Sequence, residues 1–155
     1  MTGTTPEGAR PAREFHRSRG RSIGDSILGV FVRAGLVPGT YLLTTVGRKS
    51  GRPLTHPATV VAEDGRPRWL VSPYGTVSWV HNARAAGRVT LSRRGSRTDY
   101  TIRELSPAEA GPVLKRYLVL ATATRPYFAA DKDAPVEDFV AEADRHPAFE
   151  LRPLA

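Results

Sequence analysis

The sequence predicts a mainly β, α+β domain: a small antiparallel barrel or sheet with helices set between and after its strands. Three observations carry this. Short runs rich in Val, Leu, Thr and Tyr follow one another from Thr40 onward, as strands do. Glycine-containing turns join neighbouring runs, which makes them antiparallel hairpins. The regular strand–helix alternation of a doubly wound sheet is missing.

The elements follow in order. Residues 1–21 are polar, with Arg10, Arg13, Arg17, Arg19 and Arg21, and read as a mobile basic tail ahead of a single domain over 22–155. From Ser22 to Leu36, Ile23, Ile27, Val30, Phe31 and Ala34 recur at helical spacing. Strands are expected over Thr40 to Val46, Leu54 to Ala62 and Arg68 to Ser72, the last two joined at Asp64-Gly65. A short helix is expected from Thr76, as N-cap, to Ala86, with Gly87 as its stop. A second hairpin spans Arg88 to Leu105 around Gly95-Ser96. Ser106-Pro107-Ala108-Glu109 forms a capping box with proline at the first helical position. Its helix runs to Ala121, interrupted early by Gly111-Pro112. A loop or broken helix covers Thr122 to Pro135, a helix Val136 to Asp144, and a last strand Ala148 to Arg152.

Composition narrows the function classes. The chain has 155 residues, the size of one domain with a real core. It lacks cysteine, which removes disulfides, thiolate nucleophiles and cysteine zinc sites. No apolar run approaches membrane-spanning length, and the N-terminus lacks the apolar core of a secretory signal. A cytoplasmic protein is the expectation. The net charge of +8 comes from 20 arginines and three lysines against 15 acids, and favours anionic partners. Nucleic acid is not expected, because the aromatics fall on apolar faces rather than among the cations. The 22–36 helix has a stripe that suits docking on the core. Weak association with the inner face of a membrane is the competing role.

Classical catalytic sets are missing. His16, His56, His81 and His146 form no His–His pair at i, i+4, and no metal site is expected. There is no G-x-S-x-G elbow and no Walker A motif. The acids Asp131, Asp133, Glu137, Asp138, Glu142 and Asp144 read as a solvated face. Three segments stand out. In Gly47-Arg48-Lys49-Ser50-Gly51-Arg52-Pro53, cations, a hydroxyl and glycines share one strand-to-strand turn, a candidate phosphate cradle or a plain solvated loop. His56-Pro57 interrupts a strand, and proline there marks an edge where the sheet opens. Ser72 to Asn82 passes from a strand end through Gly75 into a helix, with Trp79 and Asn82 on one face.

Together, the G-R-[KR]-[ST]-G-x-P turn, then S-x-x-G, then W-x-x-N leading into an N-A-R-A-A-G helix resemble the deazaflavin-dependent nitroreductase family. The resemblance covers about Thr40 to Leu151. That family belongs to the split β-barrel flavin and deazaflavin oxidoreductases of actinobacteria, so it implies a split, FMN-binding-like barrel with flanking helices. It implies the deazaflavin coenzyme F-420 as cofactor, with FMN the lesser candidate. By the resemblance, Arg48, Lys49 and Ser50 hold the phosphate, and His56 and Pro57 line the ring pocket. Ser72, Tyr74 and Gly75 form the loop beside the ring, and Trp79 and Asn82 sit on the next helix. Tyr127 falls where the family has an aromatic element over the substrate, and Tyr74 and Tyr127 are the candidate proton donors. Leu54 stands where the nitroreductase has a further basic residue, and the loop from Ser72 to Trp79 is shorter and lacks its lysine. The expected reaction is hydride transfer from the reduced coenzyme to a small enone, quinone or nitro compound, in a monomer or homodimer. The alternative on the same fold is a non-catalytic binding protein for a fatty acid, FMN or haem.

Overall fold

The structure, a computed structural model, describes residues 39–154. The expected tail over 1–21 and the helix over 22–36 lie outside the described residues. The described chain forms β1 (Thr40–Val46), β2 (Pro53–Glu63), β3 (Arg66–Val71), α1 (Ser78–Ala86), β4 (Arg88–Arg93), β5 (Ser96–Glu104), α2 (Pro107–Leu120), α3 (Val136–Glu142) and β6 (Ala148–Pro153). Short 3-10 segments at Thr122–Tyr127 and Ala143–Arg145 lie before and after α3. The strands close a barrel in the order β1-β2-β3-β6-β5-β4, every pair antiparallel.

Side-chain alternation produces two cores from one sheet. Val60, Leu70 and Phe149 point inward with Leu43, Leu91 and Leu151, and α1 adds Val80 and Ala83 to this interior. Their sequence neighbours Val61, Val71 and Ala148 point outward, where Ala110, Leu114, Leu118 and Phe139 of α2 and α3 cover them. A period of two sends alternate residues to opposite faces, and here both faces are buried where the helices lie. Each fully buried Leu or Phe contributes about 1.5–3 kcal/mol relative to exposure.

Several sequence expectations shift. The helix expected from Thr76 starts at Ser78, its N-cap is Val77, and no side chain caps it. Gly75, at φ 86°, sets the chain direction here instead, a conformation that glycine alone adopts freely. The third strand stops at Val71, so Ser72 lies in the loop. The second hairpin turns at Arg94-Gly95, with φ 51° and 79°, rather than Gly95-Ser96, as a two-residue turn of positive φ requires. Gly111-Pro112 does not interrupt α2. A Cβ on Gly111 would lie 2.5 Å from Val140 Cγ2, so the glycine lets α3 approach α2. The capping box forms as expected: Ser106 Oγ accepts from the Glu109 N–H, and Glu109 accepts from the Ser106 N–H.

One irregularity positions the site. β2 pairs with β1 from Pro53 to Thr59, but its pairing with β3 begins only at Val60. The upper half of β2 therefore overhangs β3, and the sheet opens beside His56-Pro57. The proline, which cannot donate to a ladder, faces that gap. The loop after β3 and the first turn of α1 lie beside it, with Trp79 of α1 next to His56.

Candidate functional site

The site lies at the barrel end where β1, β3 and β5 finish. The turn over residues 47–52 is closed by two backbone bonds, Gly47 N–H to Arg52 O and Gly51 N–H to Gly47 O, both 2.8 Å. Gly51 at φ 69° makes the reversal possible. Ser50 Oγ accepts from the Arg52 N–H at 3.2 Å, and a Cβ on Gly47 would sit 2.5 Å from that oxygen. The serine thus shapes the turn with its lone pair and keeps its own proton for another acceptor.

Asn82 ties this turn to α1. Its Oδ1 accepts from both the Arg48 backbone N–H, at 3.1 Å, and the Arg48 guanidinium, at 3.0 Å. Its amide nitrogen donates to Thr45 Oγ1 at 3.5 Å. Asn82 is 2% exposed, whereas Arg48 is exposed, so a buried amide holds a surface residue in place. Arg48 is thereby committed to the protein, while Lys49 and Arg52 stand exposed beside it. The turn offers an anionic handle two cations, a hydroxyl proton and a fixed backbone, which fits a phosphodiester with a carboxylate tail.

One helical turn before Asn82, Trp79 lies between the opened strand and the barrel floor. Its ring is 6.2 Å from His56 and 5.9 Å from Phe149. His56 pairs with the inward Leu43 and so faces inward too. Pro57 is the next residue on that strand. These half-buried rings form a wall suited to a flat heteroaromatic group. Exposed Val46 and Leu54 extend it beside the basic turn.

The loop after β3 supplies the other side. Ser72 is fully buried, its N–H donates to Pro147 O and its hydroxyl donates to Gly75 O. The serine therefore holds the loop's shape. Tyr74 meets Tyr127 edge to face, with centroids 4.8 Å apart. The structure thus brings the eleven sequence-derived residues to one barrel end in three linked groups. Arg48, Lys49, Ser50 and Asn82 make the turn and its anchor. His56, Pro57 and Trp79 make the wall. Ser72, Tyr74, Gly75 and Tyr127 make the loop side. Two depressions of about 270 and 300 Å³ lie elsewhere, one beside Arg84 and Glu104 and one at the opposite barrel end by Tyr41 and Tyr100.

Sequence reasoning missed the group beneath that loop. Glu142, expected on a solvated acidic face, is 2% exposed. It accepts from His146 Nε2 or shares its proton at 2.7 Å, and accepts from the N–H groups of Ala129 and Ala130. Burial pushes its carboxyl up, but the bonds from His146, Ala130 and Ala129 outweigh it and hold the group below the ordinary carboxylate range. The signal was a Glu at i−4 from a His, which a search for His–His pairs passes over. The other five acids of that cluster are exposed.

A search of the curated proteins gives no match. Among solved structures, a domain-swapped dimer matches 86% of this chain and 96% of its own, at 23% identity and a TM-score of 0.56. A pyridoxamine 5'-phosphate oxidase-related, FMN-binding protein from Nostoc punctiforme matches 90% and 83%, at 13% identity and a TM-score of 0.51. Both share the fold of this chain. Among the described residues no helix is long and apolar enough to cross a membrane. The model of the F420H2-dependent quinone reductases matches residues 13–140, most of the sequence and every residue of the turn, the wall and the tyrosine pair. The chain therefore belongs to the F420H2-dependent quinone reductase family and is an oxidoreductase that uses the deazaflavin coenzyme F-420.

Proposed function

We propose that this enzyme passes a hydride from the reduced deazaflavin to a small organic acceptor, with a quinone as the first choice and enones or nitro compounds after it. The observation that carries the reading is the Arg48–Asn82 anchor, which locks a cationic turn to the helix that bears Trp79. An anionic handle held at the turn then places its ring against Trp79 and His56. When bound, the coenzyme supplies the hydride, so this reaction asks no nucleophile of the chain.

The chain's own residues bind, orient and protonate. Lys49 and Arg52 neutralise the handle, and Ser50 donates its hydroxyl proton to it. Trp79, His56 and Pro57 fix the ring plane along the opened edge of β2. The hydride reduces one acceptor carbon or oxygen by two electrons, and the product needs one proton to become neutral. Tyr74 or Tyr127 supplies it from its phenol, on the loop side of the gap. Asn82 and Ser72 act one step back, by shaping the segments that touch the ligand.

The test is a titration of the pure protein with coenzyme F-420 and, side by side, with FMN, read by tryptophan fluorescence. The deazaflavin is expected to bind more tightly and to quench Trp79, with the quench mostly lost in Trp79→Phe. Trp69, on β3 and flanked by Arg68 and Arg116 at 5.7 and 5.0 Å, is the internal control. A quench carried by Trp69 alone, or tighter binding of FMN, would contradict this reading. Turnover with a quinone, an enone and a nitro compound then ranks the acceptors.

A further inference from the structure

We propose that Glu142 and His146 are positioning residues for the acceptor side of this site: their buried pair fixes the Pro73 carbonyl and the Ala129–Ala130 backbone in one frame, and so holds Tyr74 against Tyr127. The proposal rests on the functional reading above for the role of the two tyrosines, but not for the frame itself.

The geometry points both ways from the pair. His146 Nδ1 lies 2.9 Å from Pro73 O, a group that only accepts, so this nitrogen carries a proton. Nε2 faces the Glu142 carboxyl at 2.7 Å, and a further proton is held on one or the other. The Glu142 oxygens also take the Ala129 N–H at 3.1 Å and the Ala130 N–H at 2.9 Å. The imidazole stacks on Phe128, centroids 3.9 Å apart and planes 18° apart. Pro73 immediately precedes Tyr74, and Phe128 immediately follows Tyr127. The polar bonds of the pair to other segments therefore end at the residue before Tyr74 and at the second and third residues after Tyr127.

Stability alone does not call for such a pair. A buried ion pair is often no better than apolar groups of the same volume, whereas removal of one partner leaves the other uncompensated. What the pair adds is direction: one imidazole and one carboxylate set the relative position of two loops far apart in the sequence.

The experiment uses the full chain labelled with 3-fluorotyrosine, read by 19F NMR and assigned by single Tyr→Phe changes. His146→Phe keeps a ring on Phe128 and removes both polar bonds. The Tyr74 and Tyr127 resonances are expected to shift or broaden together, while Tyr41 and Tyr100, at the far barrel end, stay in place. Quinone turnover is expected to fall about tenfold or more in kcat, because small displacements of positioned groups are costly. Deazaflavin affinity should hold within about twofold, since the turn is untouched. Glu142→Gln, which keeps the volume but only one acceptor oxygen, should give the same pattern in milder form. Unmoved Tyr74 and Tyr127 resonances in a folded variant would overturn the proposal. So would loss of the fold in both variants, which would assign the pair to the core alone. A parent protein that binds no deazaflavin sinks the functional reading instead, and the fluorine signals still decide the frame.

Discussion

The two ends of the barrel are both basic, and they are organised differently. At the far end, Asp64-Gly65 joins β2 to β3 and Arg94-Gly95 joins β4 to β5. Both are two-residue turns with positive φ throughout, the shortest link that matches strand twist. Arg66, Arg94 and Arg97 simply decorate them, exposed. At the near end, a six-residue turn replaces the two-residue one. It carries Arg48, Lys49 and Arg52, and it is tied through Asn82 to a helix that bears Trp79. The strand after it overhangs its neighbour and leaves a gap. Cation number does not separate the ends. A buried side-chain anchor, an opened edge and an aromatic wall do, and they convert surface charge into an oriented field.

The strongest way to break this contrast is to cut the anchor. Asn82→Ala removes the acceptor for two Arg48 donors and the donor to Thr45 Oγ1. Arg48 is exposed, so water takes up its freed donors, and the lost bonds alone predict a stability loss of about 2–3 kcal/mol, with weaker deazaflavin binding because the turn drifts. Denaturant unfolding and the fluorescence titration measure the two effects. Arg97→Ala at the far end should change stability by no more than about 0.5 kcal/mol, as exposed substitutions usually do. Equal losses in the two variants would mean that the near turn is no more organised than the far one.

A narrower cut tests the charge alone. Lys49→Ala leaves the anchor and the turn's backbone bonds intact. It should cost about 2 kcal/mol of deazaflavin binding, the scale of one charge-assisted hydrogen bond, with the melting temperature unchanged. That cost should shrink as salt rises, because the ammonium is exposed. Isothermal calorimetry of both Lys49→Ala and Arg97→Ala settles the comparison. If neither variant loses affinity, the near turn is a solvated loop.

What the sequence makes legible follows from which interactions are local. Strand runs, glycine turns, the Ser106 capping box and the Gly87 stop depend on neighbours within a few residues, and all stand where the pattern puts them or within a residue or two. Pro57 marks the opened edge because a missing N–H is a property of the residue itself. The eleven candidate residues were picked out through the resemblance, on the order of its motifs. That Asn82 fixes a backbone was expected, but that Arg48 is its partner was not legible, because Arg48 lies 34 residues away. Glu142 shows the same limit in a harsher form. An acid in a run of acids looks solvated, and only the fold reveals that its carboxylate turns inward to His146 while the others face water. Thr76 failed as a cap because the turn before α1 is set by Gly75 and the backbone bond from Val77 N–H to Gly75 O.

The smallest effect concerns acid, and it sharpens the contrast from the helix that borders the near end. Glu109 closes the capping box of α2 and takes a bidentate contact from Arg103, at 3.1 and 2.9 Å. Arg103 and the Ser106 N–H favour its charged form and hold its carboxyl at about 2, below the ordinary value of 4.5. A carboxyl whose folded value is depressed binds its proton more readily in the unfolded chain. Its contribution is therefore fully present above about 4.5 and fades as the pH falls through about 2. Glu142 is depressed as well, so it acts in the same direction. Glu109 is exposed, so water and salt screen its share, and the expected effect is slight. Glu109→Gln keeps a capping amide but loses the charge on Arg103. Melting curves should put the variant a little below the parent at pH 7, with the two converging as the pH approaches 2. A gap that is constant across that range would show that the contact with Arg103 contributes nothing through its charge. The near end would then owe its order to Asn82 and the Glu142–His146 pair alone.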